Sequence, residues 1–129
     1  MKGREVFDQI PEEAARELEA IVGPDNITTD PNLCMANYGF GFGHEIYWFQ
    51  GVLQAPAAIV MPKSTEEVAR VIKVCNRYRI PFQSKSGGTI SPSDPAFAQN
   101  AVQIDLKRMD KWEIDEKNMW AIVEPGVIS

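Results

Sequence analysis

The chain has one histidine, two cysteines and no block of lysine or arginine. One histidine leaves little room for a zinc centre or a His-based triad. Cys34 and Cys75 have neither metal-ligand spacing nor the density of a disulfide framework. Cys75 falls on the apolar stripe of an expected helix, as a small buried hydrophobe. Cys34 falls in an expected loop. The net charge of -5, with its bases scattered, removes the electrostatic footprint of a nucleic-acid binder. No apolar run is long enough to span a bilayer. The N-terminal Met1-Lys2-Gly3-Arg4-Glu5 leads into an acidic amphipathic segment rather than an apolar signal core. The expectation is a soluble, cytoplasmic chain with no membrane span.

What is present is an ordinary globular composition. The 129 residues are 44% hydrophobic and 24% charged, enough for one modest domain with a core. Pro11-Glu12-Glu13 fits a first helical turn, and Ile10, Ala14, Leu18 and Ile21 recur at helical spacing until Gly23-Pro24. Asp25 to Asn32 is polar and reads as turns. Tyr38-Gly39-Phe40-Gly41-Phe42-Gly43-His44 alternates glycine with aromatics, but no strand precedes it and no clear helix follows, so it is not a dinucleotide fingerprint. We read residues 38–51 as an irregular aromatic segment packed on the domain or on another part of a larger protein. His44 reads as structural, with a catalytic or flavin-linking role as the alternative.

From Pro56 the pattern becomes regular. Ala57-Ala58-Ile59-Val60 is a buried strand, Ser64 to Glu67 a capping box, and Val68, Val71, Ile72 and Cys75 one helical stripe ending at Arg79. Ile80 opens the next strand, giving a strand–helix–strand unit with parallel strands. Its second strand runs into Ser84-Lys85-Ser86-Gly87-Gly88-Thr89-Ile90. The glycine pair lets the backbone turn with positive φ and approach a ligand. Consecutive N–H groups, hydroxyls and one lysine there can form a concave anion site. A glycine pair between strands is more often only a turn, and it is the flanking segments that favour the anion site. Val102, Ile104 and Leu106 alternate as a half-buried strand. Trp112-Glu113-Ile114 and Met119–Val123 form two antiparallel strands around Asp115-Glu116-Lys117-Asn118, and Glu124-Pro125-Gly126 ends the second.

Five fragments in this order carry a family resemblance: Ala58–Val68, Ile80-Pro81, Ser86-Gly87-Gly88-Thr89, Ile104–Met109 and Val123–Val127. They resemble the N-terminal part of the FAD-linked oxidases, the fold of vanillyl-alcohol oxidase and p-cresol methylhydroxylase shared with glycolate-oxidase-type and D-lactate dehydrogenases. The resemblance implies an α+β fold. Residues 1–55 would be an N-terminal helix and irregular segment, and 56–129 the first part of an FAD-binding domain. It implies FAD, with the diphosphate on Ser84, Lys85, Ser86, Gly87, Gly88, Thr89 and Ile90. Pro62 would lie beside the adenine, and Glu124, Pro125, Gly126 and Val127 along the nucleotide. The loop continues Ile90-Ser91-Pro92-Ser93 where relatives keep small residues, and Pro92 has no N–H to donate. No histidine occupies the loop, so the flavin there would be held non-covalently.

The implied activity is oxidation of a small hydroxylated molecule, a 2-hydroxy acid or an alkylphenol, by hydride transfer to FAD. The implied partners are that substrate, the remainder of the enzyme or a partner subunit, and a redox protein as electron acceptor. The chain itself would be one piece of a larger enzyme. The alternative is a partner-binding module without turnover, anchored by the aromatics from Phe40 to Phe49.

Overall fold

The computed structural model describes residues 9–36, 55–87 and 101–128. Helix α1, Glu12–Val22, buries Ala14, Leu18 and Val22, every fourth residue, and Ile10 continues that stripe. Pro11 is the N-cap rather than the first helical residue, and Gly23 closes the helix at φ +88°, a left-handed geometry that a side chain would strain.

The stretch read as turns contains two short elements. A 3-10 turn, Pro24–Asn26, leads into strand β1, Ile27–Thr28, and helix α2 follows at Pro31–Ala36. Asp30 caps α2: its Oδ1 accepts from the N–H of Asn32 at 2.7 Å and of Leu33 at 3.3 Å. Asp30-Pro31 is thus an N-cap followed by a proline that has no N–H to lose, a helix-start signal present in the sequence. Cys34, expected in a loop, is buried on this helix.

Strand β2, Ala58–Val60, is buried throughout. Helix α3, Thr65–Tyr78, starts at Ser64, whose hydroxyl accepts from the Glu67 N–H at 3.2 Å. The reciprocal half of the box is displaced by one residue, since Glu67 Oε2 accepts from the N–H of Lys63 at 2.8 Å. Arg79 ends α3 in the left-handed region, φ 54°. Strands β3, Phe82–Lys85, and β4, Val102–Asp105, complete a sheet of order β1-β2-β4-β3. β1 is antiparallel to β2, and β4 is parallel to both its neighbours.

The strands flanking α3 are parallel, as expected, with β4 paired between them. One expectation changes: β4 is fully buried instead of half-buried. Val102 and Ile104 join Ala58, Val60, Leu18, Val71 and Cys75 in the core, while the alternate residues Gln103 and Asp105 are covered on the opposite face. A central parallel strand is enclosed on both faces, which alternation alone does not reveal. Helices α1 and α3 pack on each other, and Glu17 closes their seam by accepting from Arg77 Nη1 at 2.6 Å and the Tyr78 hydroxyl at 2.8 Å.

Strands β5, Trp112–Asp115, and β6, Trp120–Val123, form the expected antiparallel hairpin as a separate two-stranded sheet. Asp115 takes the Asn118 N–H at 3.0 Å and its Nδ2 at 2.8 Å, while Met119 sits in the turn at φ 58° rather than opening the strand. The sheets and helices together make the α+β architecture. Among the described residues, no helix is long and apolar enough to cross a membrane. The aromatic segment 38–51, with His44, lies outside the described residues.

Candidate functional site

Parallel strands gather their C-terminal ends on one edge, where α/β sheets carry ligands. In this chain that edge is made by Val60-Met61, Lys85-Ser86-Gly87 and Asp105-Leu106, held in step by the registers Val60↔Ile104 and Lys85↔Asp105. Ser84 and Ser86 are exposed, and Lys85 and Gly87 are half-buried. Two hydroxyls and one ammonium therefore stand at the strand end with room to meet an anion. Gly88, Thr89 and Ile90 lie outside the described residues.

The structure brings two of the predicted segments together. A Cβ added to Gly87 would lie 3.1 Å from Ile128 Cγ1 and 3.7 Å from the Val127 carbonyl oxygen. The glycine loop and the turn after β6 thus meet at the sheet edge, about forty residues apart in sequence. Gly87 does not use the positive φ expected of it, since Gly23 alone has one among the described glycines. What Gly87 supplies is the absence of a side chain where Ile128 approaches.

The Glu124–Val127 turn is pinned from within. Glu124 N–H donates to the Lys111 carbonyl at 2.8 Å, Gly126 N–H to Met109 at 2.7 Å and Val127 N–H to Glu124 at 3.1 Å. Pro125 has no N–H, so this turn offers surface rather than main-chain donors. A Cβ on Gly126 would sit 2.4 Å from the Leu106 carbonyl oxygen and 2.7 Å from that of Met109, so glycine is required here by packing. Pro62 is fully buried at the end of β2.

Asp105, Lys107 and Arg108 fall in the fragment Ile104–Met109 that carries the resemblance, but the sequence assigned none of them a role. Asp105, 3% exposed, accepts from the Lys107 N–H at 3.1 Å and lies 3.5 Å from its Nζ. Arg108 Nη1 donates to the Met61 carbonyl at 2.7 Å. Gln103 is buried beside them with no hydrogen-bond partner for Nε2 among the described residues. The polar residues of an otherwise apolar strand were the available signal. Three hollows lined by described residues lie away from this edge: about 390 Å³ at the hairpin tip around Met119 and Trp120, about 360 Å³ beside Gly23 and Pro24, and about 300 Å³ between α1 and α3. No group of side chains suited to a metal ion occurs among the described residues.

A sheet whose strand end presents two serine hydroxyls and a lysine ammonium has donors of the kind a phosphate anion takes. Residues 56–129 match the FAD binding domain model, and the chain belongs to that family of flavin-nucleotide-binding domains. It is 30% identical over 122 residues to a mitochondrial D-lactate dehydrogenase (cytochrome) of Arabidopsis thaliana, covering 94% of this chain and 20% of that protein. It is 27% identical over 124 residues to glycolate oxidase subunit GlcD of Bacillus subtilis, covering 93% of this chain and 24% of that one. The fold matches p-cresol methylhydroxylase with substrate bound at a TM-score of 0.74 and 28% identity, over 89% of this chain and 22% of that structure's chain. The chain therefore spans about a fifth to a quarter of the length of these relatives. FAD is the cofactor of the family, and the donors at the sheet edge fit its diphosphate.

Proposed function

We propose that this chain forms the first part, residues 56–129, of the FAD site of an oxidoreductase acting on a small hydroxylated substrate, with 1–55 as a packing segment. Bound FAD would supply the hydride acceptor, and the chain supplies binding and orientation. Ser84, Lys85, Ser86, Gly87, Gly88, Thr89 and Ile90 hold the diphosphate without a covalent link. Lys85 contributes a point charge rather than a bidentate fork. Pro62 shapes the wall at the adenine end, and Glu124, Pro125, Gly126 and Val127 form a wall along the nucleotide. No side chain of this chain serves as acid or base, and those groups come from the substrate domain. A 2-hydroxy acid is the favoured substrate class, in keeping with the lactate and glycolate enzymes among the relatives. A cytoplasmic location belongs to the same proposal, supported by two free, buried cysteines.

The observation that carries this reading is the approach of Gly87 to Val127 and Ile128, which joins two separately predicted segments at one sheet edge. The test is Gly88→Val in the full-length protein. Retained FAD, followed by flavin absorbance after gel filtration, should fall at least about tenfold, because a branched side chain holds main-chain donors off the phosphates. The urea midpoint should move only modestly. Undiminished flavin in the variant would remove the diphosphate assignment.

A further inference from the structure

We propose that Arg108 is the positioning residue of the cofactor site, acting through the turn Leu106–Met109. This rests on the FAD reading above. The turn touches all three segments assigned to the nucleotide. Leu106 N–H donates to the Lys85 carbonyl at 2.8 Å, fixing the end of β3 just before the glycine loop. The Met109 carbonyl accepts from Gly126 N–H at 2.7 Å, and the turn's main chain fills the space where a Gly126 side chain would stand. Arg108 Nη1 reaches the Met61 carbonyl at 2.7 Å, immediately before Pro62.

The first two contacts are main-chain contacts that many sequences could make. The third depends on the side chain, so residue identity enters the clamp at Arg108. A guanidinium on a carbonyl is a charge-assisted hydrogen bond, stronger than a neutral one. On its other side Met61 is tied by its own N–H to the Asn26 carbonyl at 2.9 Å. Arg108 therefore sets how far the Met61-Pro62 wall stands from the other two. Without it, binding must order that wall, and the ordering cost is subtracted from affinity. Among the described residues only one nitrogen is used, so a lysine can replace the contact where it could not replace a bidentate fork.

The experiment compares wild type, Arg108→Met and Arg108→Lys in the full-length protein. The methionine keeps an apolar stem and removes the donors. FAD affinity is read by flavin fluorescence, and stability of the apoprotein by its urea midpoint. Arg108→Met should weaken FAD roughly tenfold, the scale of one charge-assisted hydrogen bond, with little change in midpoint. Arg108→Lys should recover most of the loss. Wild-type affinity in Arg108→Met overturns the inference, as does a loss that tracks the midpoint and is not recovered by lysine. If Gly88→Val loses FAD while Arg108→Met does not, the inference falls and the cofactor reading stands. If wild type takes up no FAD, both fall.

Discussion

Strands β2 and β4 bury all their residues, whereas β5 and β6, equally rich in β-branched and aromatic side chains, leave Trp112 63%, Ile122 58% and Val123 57% exposed. The register Trp112↔Val123 and Ile114↔Ala121 puts four apolar side chains on one uncovered face of the hairpin. Strand propensity is alike in the two regions, so it does not decide which becomes core. Helices do. Leu18 on α1 and Val71 and Cys75 on α3 cover β2 and β4, and among the described residues no helix lies over the hairpin. A two-stranded sheet without such cover is marginal in water.

The comparison is broken most strongly from the covered side. Leu18→Ala removes a fully buried side chain from between α1 and the sheet. It should cost about 2–5 kcal/mol of unfolding free energy, read from the urea midpoint, and loss within about 0.5 kcal/mol would mean the helix layer is not the stabilising element. A smaller effect comes from the cysteines. Burial pushes the thiols of Cys34 and Cys75 up to about 11, with Asp30 adding to the rise at Cys34. Their protonated forms favour the folded state, so this contribution is complete below the ordinary thiol value of 9.0 and is lost as pH rises toward about 11. At pH 8 neither thiol should react with a disulfide reagent until urea is added. The smallest effect belongs to the uncovered side: Trp112→Ala should shift the urea midpoint of this chain by no more than about 0.5 kcal/mol equivalent.

The parts legible in the sequence were those specified locally. The helices α1 and α3, the Ser64 cap and the hairpin around Asp115–Asn118 need only near neighbours and stand where expected, although Val22 and Val74 are buried where Ile21, Val68 and Ile72 are only half-buried. β1 is two residues held by its pairing to Ile59 and Val60, and nothing local announces it. α2 did announce itself, through Asp30-Pro31, but its six residues carry little periodicity. The placement of β4 and the burial of Gln103 and Asp105 follow from partners distant in sequence. At the candidate site, the residue types of the glycine loop were readable. Its meeting with Ile128 and the clamp by Arg108 were not, because both join segments that only the folded chain brings together.

Pairing β4 between β2 and β3 also orders events during synthesis. The two earlier parallel strands share no hydrogen bonds: β2 already has β1 to pair with, but β3 has no ladder partner among the described residues until residues 102–105 arrive. Closing that long loop is an entropic delay before any ladder bond rewards it. A ribosome stalled before residue 102 therefore holds a nascent chain whose sheet has no middle, and assembly of this half of the molecule is timed by the arrival of four residues.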